Sequence, residues 1–152
     1  MITSAINITT MKIISPLFLL IIFLSACKKE NQDATPVIPI MDMPDTSAAT
    51  LKTGSFLSGP YGSVTGNAKI YRLNGGAYQL LLQNSNSSNG PDLYVYLSKE
   101  IMPVNFIPLG RLRSTTGDQL YDIPGMPSLA GYKYINIHCQ QYNHLFGYAL
   151  LQ

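Results

Sequence analysis

Short β-type runs, each ended by turn residues, fill the chain from Leu51 to its last residue. The sharpest case is Asn74-Gly75-Gly76, which separates the apolar runs 68–73 and 78–83. Asn-Gly between two such runs is the strongest short hairpin signal, because both residues accept the positive φ of a tight turn. These two runs are therefore predicted to pair as antiparallel strands.

The run 93–97 shows the period of a half-buried strand. Leu93, Val95 and Leu97 alternate with Tyr94 and Tyr96, which gives an aliphatic face for a core and an amphipathic, wetter face. Further strands are predicted at 55–57, 110–113, 120–123, 132–139 and 146–151, and no segment keeps a helical period over ten residues. Such a series predicts an all-β domain over residues 51–152, a single small antiparallel β-sandwich of about eight strands.

Size and charge limit the functions that are open to this chain. Of its 152 residues, about 100 remain after an N-terminal signal and a linker are subtracted, which is enough for one domain. The net charge is +2, and Arg111 and Arg113 are the closest basic pair beyond Lys28-Lys29. No basic stripe is available to follow a phosphate backbone, so nucleic acid is not an expected partner.

The N-terminal segment has the order of a secretory signal. Lys12 precedes an almost wholly apolar run from residue 13 to 24, and the small residues Ser25 and Ala26 follow it. Roughly 12 apolar residues are too few for the about 20 that a membrane-spanning helix needs. We therefore expect a signal peptide over residues 1–26, whose true start is either Met1 or Met11.

The end of this signal, Leu24-Ser25-Ala26-Cys27, resembles the bacterial lipobox. The resemblance implies that the Cys27 thiol carries diacylglycerol, that the signal is cleaved before it, and that the new amine is acylated, commonly with palmitate. A lipoprotein with two or three acyl chains is stably anchored to a membrane. We expect the chain in the cell envelope, at the outer membrane, with its domain in the periplasm or at the cell surface. The alternative for Cys27 is a disulfide with Cys139, since the chain has two cysteines.

Residues 27–50 are expected to form the lipid-anchored flexible linker. Polar residues alternate there with Pro36, Pro39 and Pro44, so neither a strand nor a helical period survives. Met41 and Met43 could be taken as a soft copper site, but two thioethers in such a strip are more often incidental.

The search for a catalytic or metal site yields few candidates. His138 and His144 are the two imidazoles of the chain, and no hydrolase, transferase or phosphate-binding motif is present. His144 could activate the Cys139 thiol, with Asp122 to orient its ring. A blue-copper site would need a histidine far upstream and a methionine after the second histidine, and the chain has neither. No cofactor and no metal are predicted.

Cys139 remains as the unusual residue of the domain. If Cys27 is lipidated, Cys139 is a lone thiol in an oxidising compartment. Ile135, Ile137 and Cys139 fall on one strand face, so the thiol can be a small buried hydrophobe of the core. The other hypothesis is a redox thiol, which needs partial exposure and a lowered pKa.

Several segments between Thr53 and Leu151 together resemble the DM-thirteen family, small extracellular β domains often found beside DOMON domains and proposed to serve in electron transfer. The segments that carry the resemblance are Ser55-Phe56, Tyr61-Gly62-Ser63-Val64-Thr65-Gly66-Asn67-Ala68, Asn89-Gly90-Pro91-Asp92-Leu93-Tyr94-Val95-Tyr96-Leu97, Gly117-Asp118-Gln119-Leu120-Tyr121-Asp122-Ile123-Pro124, Ile137-His138-Cys139-Gln140-Gln141-Tyr142 and Phe146-Gly147-Tyr148-Ala149-Leu150. In that family the cysteine at the place of Cys139 is the proposed redox group. The family often has an aromatic residue just before this cysteine, where this chain has His138.

Two hypotheses of function follow. In the first, the domain is a redox or electron-transfer module that acts through the Cys139 thiol on a partner protein of the envelope. In the second, Cys139 belongs to the core, and a tyrosine-rich face binds protein or glycan in the envelope without catalysis. The residues expected on that face are Tyr94, Tyr96, Tyr132 and Tyr134.

Overall fold

The computed structural model describes residues 40–45 and 47–152. The signal peptide, the lipobox with Cys27, and the linker as far as residue 39 lie outside the described residues, so their predictions stand as made. Within the described ranges, no helix is long and apolar enough to cross a membrane.

Nine β-strands make up the secondary structure of the described residues. They are β1 (Ile40–Met41), β2 (Ala49–Ser58), β3 (Val64–Arg72), β4 (Tyr78–Ser87), β5 (Leu93–Ser98), β6 (Phe106–Arg111), β7 (Thr116–Ile123), β8 (Tyr134–Cys139) and β9 (His144–Leu150). They form one sheet in the order β1-β7-β4-β3-β2-β9-β8-β5-β6, in which the two-residue β1 pairs parallel with β7 and all other neighbours are antiparallel. The predicted all-β class with about eight antiparallel strands is confirmed.

The predicted hairpin of residues 68–83 is present as β3 and β4. Arg72 and Tyr78 form its last pair, and the Gly76 amide donates to the Leu73 carbonyl at 2.9 Å. Gly76 has a φ of +84°, a conformation that costs glycine nothing because it has no Cβ. One prediction needs a correction: the strand expected at 110–113 is Phe106–Arg111 and contains Pro108. Proline is tolerated there because β6 is an edge strand, which can lack one backbone donor.

The sheet curls until β6 and β7 approach each other. These two strands do not pair through backbone hydrogen bonds, and side chains of β7 connect them instead. The buried Gln119 of β7 accepts hydrogen bonds through Oε1 from the amides of Arg113 and Ser114 and from the Tyr121 hydroxyl, at 3.1, 3.2 and 2.9 Å. The Tyr121 hydroxyl also lies 3.2 Å from the Arg111 carbonyl oxygen. Because β6 and β7 do not pair, the amides of Arg113 and Ser114 and the carbonyl of Arg111 have no strand partner there, and these side-chain bonds satisfy them.

The inward faces of the strands form one core. Leu93, Val95 and Leu97 are buried in it, as their alternation predicts. Tyr96 departs from the expectation of a wetter outer face, because it is only 3% exposed. The ring of Phe106, on the neighbouring β6, lies 4.3 Å from the Tyr96 ring and shields it from water.

The antiparallel order places the loops at two ends of the domain. At the end where β8 finishes, here called the thiol end, lie the loops 59–63, 88–92, 112–115 and 140–143. At the far end lie the loops 73–77, 99–105 and 124–133. The described chain begins at the thiol end, because Ile40 pairs with Gly117 near the start of β7.

Candidate functional site

Cys139 is the last residue of β8, at the thiol end. It pairs with Leu93 of β5 on one side and with His144 of β9 on the other. The side chain is 1% exposed and belongs to the hydrophobic core, together with Ile135 and Ile137. Among the described residues it forms no disulfide. The resting structure therefore holds the thiol out of solvent.

An imidazole lies next to this thiol. Residues directly opposite each other in an antiparallel pair project from the same face of the sheet, with Cβ atoms about 4.5–5.5 Å apart. The pairing of Cys139 with His144 therefore places the Cβ atoms of the two residues next to each other at the end of the β8–β9 ladder. His144 is half-buried, and the Tyr61 ring stacks on it with a centroid distance of 3.7 Å and an interplanar angle of 3°. Tyr61 thus covers the imidazole from the loop 59–63.

Phe146 packs into the thiol end of the core because β9 has an irregularity. The register of β8 with β9 shifts between Ile137 and His138, and Phe146 is the residue left without a partner. A Cβ on Gly62 would lie 2.3 Å from Phe146 Cδ1, and one on Gly90 would lie 2.8 Å from Phe146 Cζ. Both loops therefore need glycine to approach the ring.

His138 lies on the other face of the sheet. It pairs with Tyr94 of β5 and Leu145 of β9, away from the core that contains Cys139. It is 4% exposed, and neither Nδ1 nor Nε2 makes a hydrogen bond. Burial lowers the pKa of the His138 imidazole, since no partner stabilises the charged form strongly enough to offset desolvation. His138 and Cys139 therefore project from opposite faces of β8.

The outer face around His138 carries an aromatic cluster, defined here as Tyr94, Tyr96, Phe106 and His138. The Tyr96 ring lies 6.1 Å from Tyr94 and 5.6 Å from His138. Arg111 sits over the Tyr94 ring at 5.1 Å and pairs with Asp92 at 2.7 Å. Burial raises the pKa of the Tyr96 phenol, so it stays protonated at neutral pH.

Several residues that the sequence analysis considered for a catalytic or metal site do not lie together in the structure. Asp122, considered as a partner for His144, lies exposed on β7 and accepts a hydrogen bond from Gln79 Nε2 at 2.8 Å. Met41 and Met43 are both largely exposed. In the described part of the chain, no group of three His, Cys, Asp or Glu residues could hold a metal ion.

Two contacts of the site were not predicted from the sequence. The contact of Tyr61 with His144 has no signal in the sequence, because stacking across the thiol end depends on how loop 59–63 folds. Phe106 was not assigned to a strand, so its cover over Tyr96 was missed. The run Phe106-Ile107-Pro108-Leu109 does carry an apolar signal, which Pro108 obscures.

A protein-family model described as Electron transfer DM13 matches residues 56–151. The chain belongs to the DM13 family. The resemblance that the sequence motifs carry is thereby confirmed, and the match covers the strands from Phe56 of β2 to Leu150 of β9 and all four loops of the thiol end. A search of curated proteins and a search of solved structures each found no match.

Membership makes this chain a DM13 domain, a proposed electron-transfer module. Cys139 falls inside the matched region, as do His144 and Tyr61. The thiol, the neighbouring imidazole and its aromatic cover therefore all belong to the DM13 domain itself.

Proposed function

We propose that this DM13 domain transfers electrons through the Cys139 thiol to or from a partner protein of the cell envelope. The observation that supports this most is the direct pairing of Cys139 with His144 at the thiol end, since an imidazole is the side chain best suited to accept a proton from a thiol near neutral pH. The family match over the same residues agrees with it.

The proposed step is thiol–disulfide exchange with a disulfide of the partner. The His144 imidazole accepts the proton of Cys139, and the resulting thiolate attacks one sulfur of the partner disulfide. The S–S bond of the partner breaks, a Cys139–partner S–S bond forms, and the partner's second sulfur leaves as a thiolate, which takes up the proton. A low-molecular-weight thiol of the envelope then attacks the Cys139 sulfur of the mixed disulfide, and the partner's first sulfur leaves as a second thiolate. The partner disulfide is thereby reduced to two thiols, Cys139 and the small thiol are oxidised to one disulfide, and no second cysteine of the domain is needed.

Burial of Cys139 sets a condition on this chemistry. At 1% exposure the sulfur is out of reach of a partner in the resting structure, so the thiol end has to open before exchange. The elements beside Cys139 are small: the four-residue loop 140–143 follows it in the chain, and its pairing partner His144 stacks with Tyr61. Openings of this size occur far more often than global unfolding.

A disulfide reagent tests the proposal on the purified full-length protein. We expect 5,5′-dithiobis(2-nitrobenzoate) to react with Cys139 under native conditions, much faster than global unfolding exposes it, and Cys139→Ala to abolish the reaction. His144→Gln should slow the reaction at neutral pH, because the proposed proton acceptor is lost. Reaction only at the rate of global unfolding would reject the proposal.

We further propose that the mature chain begins at a lipidated Cys27 and is held at the outer membrane, with the DM13 domain outside the cytoplasm. The lipobox Leu24-Ser25-Ala26-Cys27 supports this. Mass spectrometry of the N-terminal peptide should show acyl chains on Cys27, and Cys27→Ala should abolish cleavage and acylation. An unmodified Cys27, or one in a disulfide with Cys139, would reject the anchor without affecting the test of the thiol.

A second function is favoured by the same burial of Cys139, which suits a core residue. On this alternative the domain binds protein or glycan through its tyrosines. Tyr94 and Tyr134 are partly exposed, and Tyr134 meets Tyr148 edge-to-face at 6.2 Å. If Tyr94→Ala weakens capture of a partner while Cys139→Ala does not, the binding function is preferred over electron transfer.

A further inference from the structure

The loop between β5 and β6 carries an unusual concentration of exposed apolar side chains. Val104 is 74% exposed, and Ile101, Met102 and Phe106 are about two-fifths exposed, so four large apolar residues lie within six positions. We name these four residues the apolar tip. They lie at the far end of the domain, opposite Cys139. A contiguous apolar patch on a protein surface marks a contact with another molecule.

Hydrogen bonds hold the base of the loop that carries the apolar tip. The Lys99 amide donates to the Asn105 carbonyl at 3.0 Å, and the fully buried Asn136 donates through Nδ2 to the Ile101 carbonyl at 2.6 Å. Glu100 accepts hydrogen bonds from the Asn105 amide and side chain at 3.0 and 2.9 Å. The loop is thus a preformed projection.

Positive charge lies at the base of the tip. Lys99 belongs to the loop itself, and Lys133 follows the neighbouring loop, with its amide bonded to the Ser98 carbonyl at 2.9 Å. Neither ammonium group forms a salt bridge in the described ranges, but the charge of Lys99 contributes, after the hydrogen bonds from Asn105, to the lowered pKa of the Glu100 carboxyl in the same loop. Apolar side chains flanked by lysines match the boundary between acyl chains and anionic headgroups.

We propose that the apolar tip inserts into a bilayer that contains anionic lipids, with Lys99 and Lys133 at the headgroups. The thiol end then points away from the membrane, where a partner protein can reach it. The chain length permits this orientation: residues 28–39 can span at most about 40 Å, whereas the eight residues of β7 cover about 26 Å. This proposal rests on neither the chemistry of Cys139 nor acyl chains at Cys27, because it is argued from the four side chains and two lysines alone.

The absence of tryptophan from this chain gives a direct test. Val104→Trp introduces a single fluorophore at an exposed position. Gly75→Trp places one in the β3–β4 turn at the same end, where a Cβ meets nothing within 4 Å. Gln141→Trp places one in loop 140–143 at the thiol end. Each full-length variant is mixed with vesicles of phosphatidylethanolamine and phosphatidylglycerol, with and without bromine atoms on the acyl chains.

We expect brominated lipid to quench roughly half or more of the emission of the Val104→Trp variant and to shift it to shorter wavelength, while the Gly75→Trp and Gln141→Trp variants keep the spectrum of exposed tryptophan. Adding Lys99→Gln and Lys133→Gln to the Val104→Trp variant should remove most of this quenching in anionic vesicles.

Two results would overturn the proposal outright: quenching of the Gln141→Trp variant in place of the Val104→Trp variant, and no quenching of either. A third is a blue shift of the Val104→Trp variant that needs no vesicles and grows with protein concentration. That result would assign the tip to contact between copies of the chain, and insertion would be rejected.

Discussion

Cys139 and His144 lie directly opposite each other where β8 and β9 meet, so a thiol and an imidazole project from the same face at one end of the domain. The Tyr61 ring stacks on the outer side of that imidazole. The residue opposite the thiol is thus itself held by an aromatic contact.

Removal of the Tyr61 ring should make Cys139 more accessible. A stacked aromatic pair contributes about 0.5–1.5 kcal/mol, so Tyr61→Ala should raise the rate of maleimide labelling of Cys139 by roughly twofold to tenfold under native conditions. Tyr148→Ala is the matched control, since Tyr148 contacts Tyr134 on the outer face and should leave the rate unchanged. Equal rates in wild type and Tyr61→Ala would show that the stack does not limit access.

Buried His138 should make the domain less stable in mild acid. Its pKa is lowered by burial, so the unfolded chain takes up a proton near pH 6.5 while the folded chain does so only at lower pH. The free energy of unfolding, measured with urea, should therefore fall between pH 7 and pH 5, where carboxylates stay ionised. His138→Leu should flatten this fall, whereas His144→Gln, which removes only the smallest cause of the lowered His138 pKa, should retain most of it. An unchanged pH dependence in His138→Leu would contradict this account.

Gln119 should be the most sensitive polar residue of the closure between β6 and β7. Gln119→Leu removes both bonds of Ser114 to Gln119, through the Ser114 amide and carbonyl, and leaves the Arg113 amide with the Tyr121 hydroxyl alone, at a cost of about 3 kcal/mol in the free energy of unfolding. Gln79→Leu is the control, because Gln79 bonds to Asp122 at the surface and should change stability little. Chemical denaturation measures the free energy of unfolding of the two variants. A similar decrease in both would show that the buried bonds of Gln119 stabilise the domain no more than the surface bond of Gln79.

Asp42 should hold the first described segment against the exposed edge of β7. Its carboxylate accepts a hydrogen bond from the Leu120 amide at 2.9 Å and pairs with Arg113, and these bonds lower its pKa. Asp42→Ala should cost about 1 kcal/mol at pH 7, and this difference should shrink as the pH falls through the lowered pKa and the carboxylate of the wild type is protonated. Asp45→Ala, which loses only bonds to Ser47, is the comparison. Amide exchange at Leu120 should rise in Asp42→Ala alone.

The strands were predictable from the sequence because their signals are local. Asn74-Gly75 indicated the β3–β4 hairpin, and the alternation of residues 93–97 indicated which side chains of β5 face the core. The burial of Tyr96 was not predictable, because it depends on Phe106 from another strand. The alternation of residues within one strand does not indicate which side chains of a neighbouring strand cover its outer face.

The candidate site was predictable only in part. The sequence singled out Cys139 and proposed His144 as a neighbour, and the register of β8 with β9 brings these two together. The same proposal included Asp122, which lies elsewhere on β7. The unpaired Phe146 sets which residues of β9 face inward, and a bulge of this kind leaves no signal in the sequence pattern.

The most direct test of electron transfer through Cys139 is its chemical state in the cell. Cells that produce the full-length protein are quenched with acid, free thiols are alkylated, and the peptide that contains Cys139 is analysed by mass spectrometry. The account predicts that part of Cys139 is protected in a mixed disulfide with an envelope protein, and that this part is larger in Tyr61→Ala. Cys139 that is fully alkylated in both proteins, with no disulfide-linked partner even under oxidising growth, would contradict it.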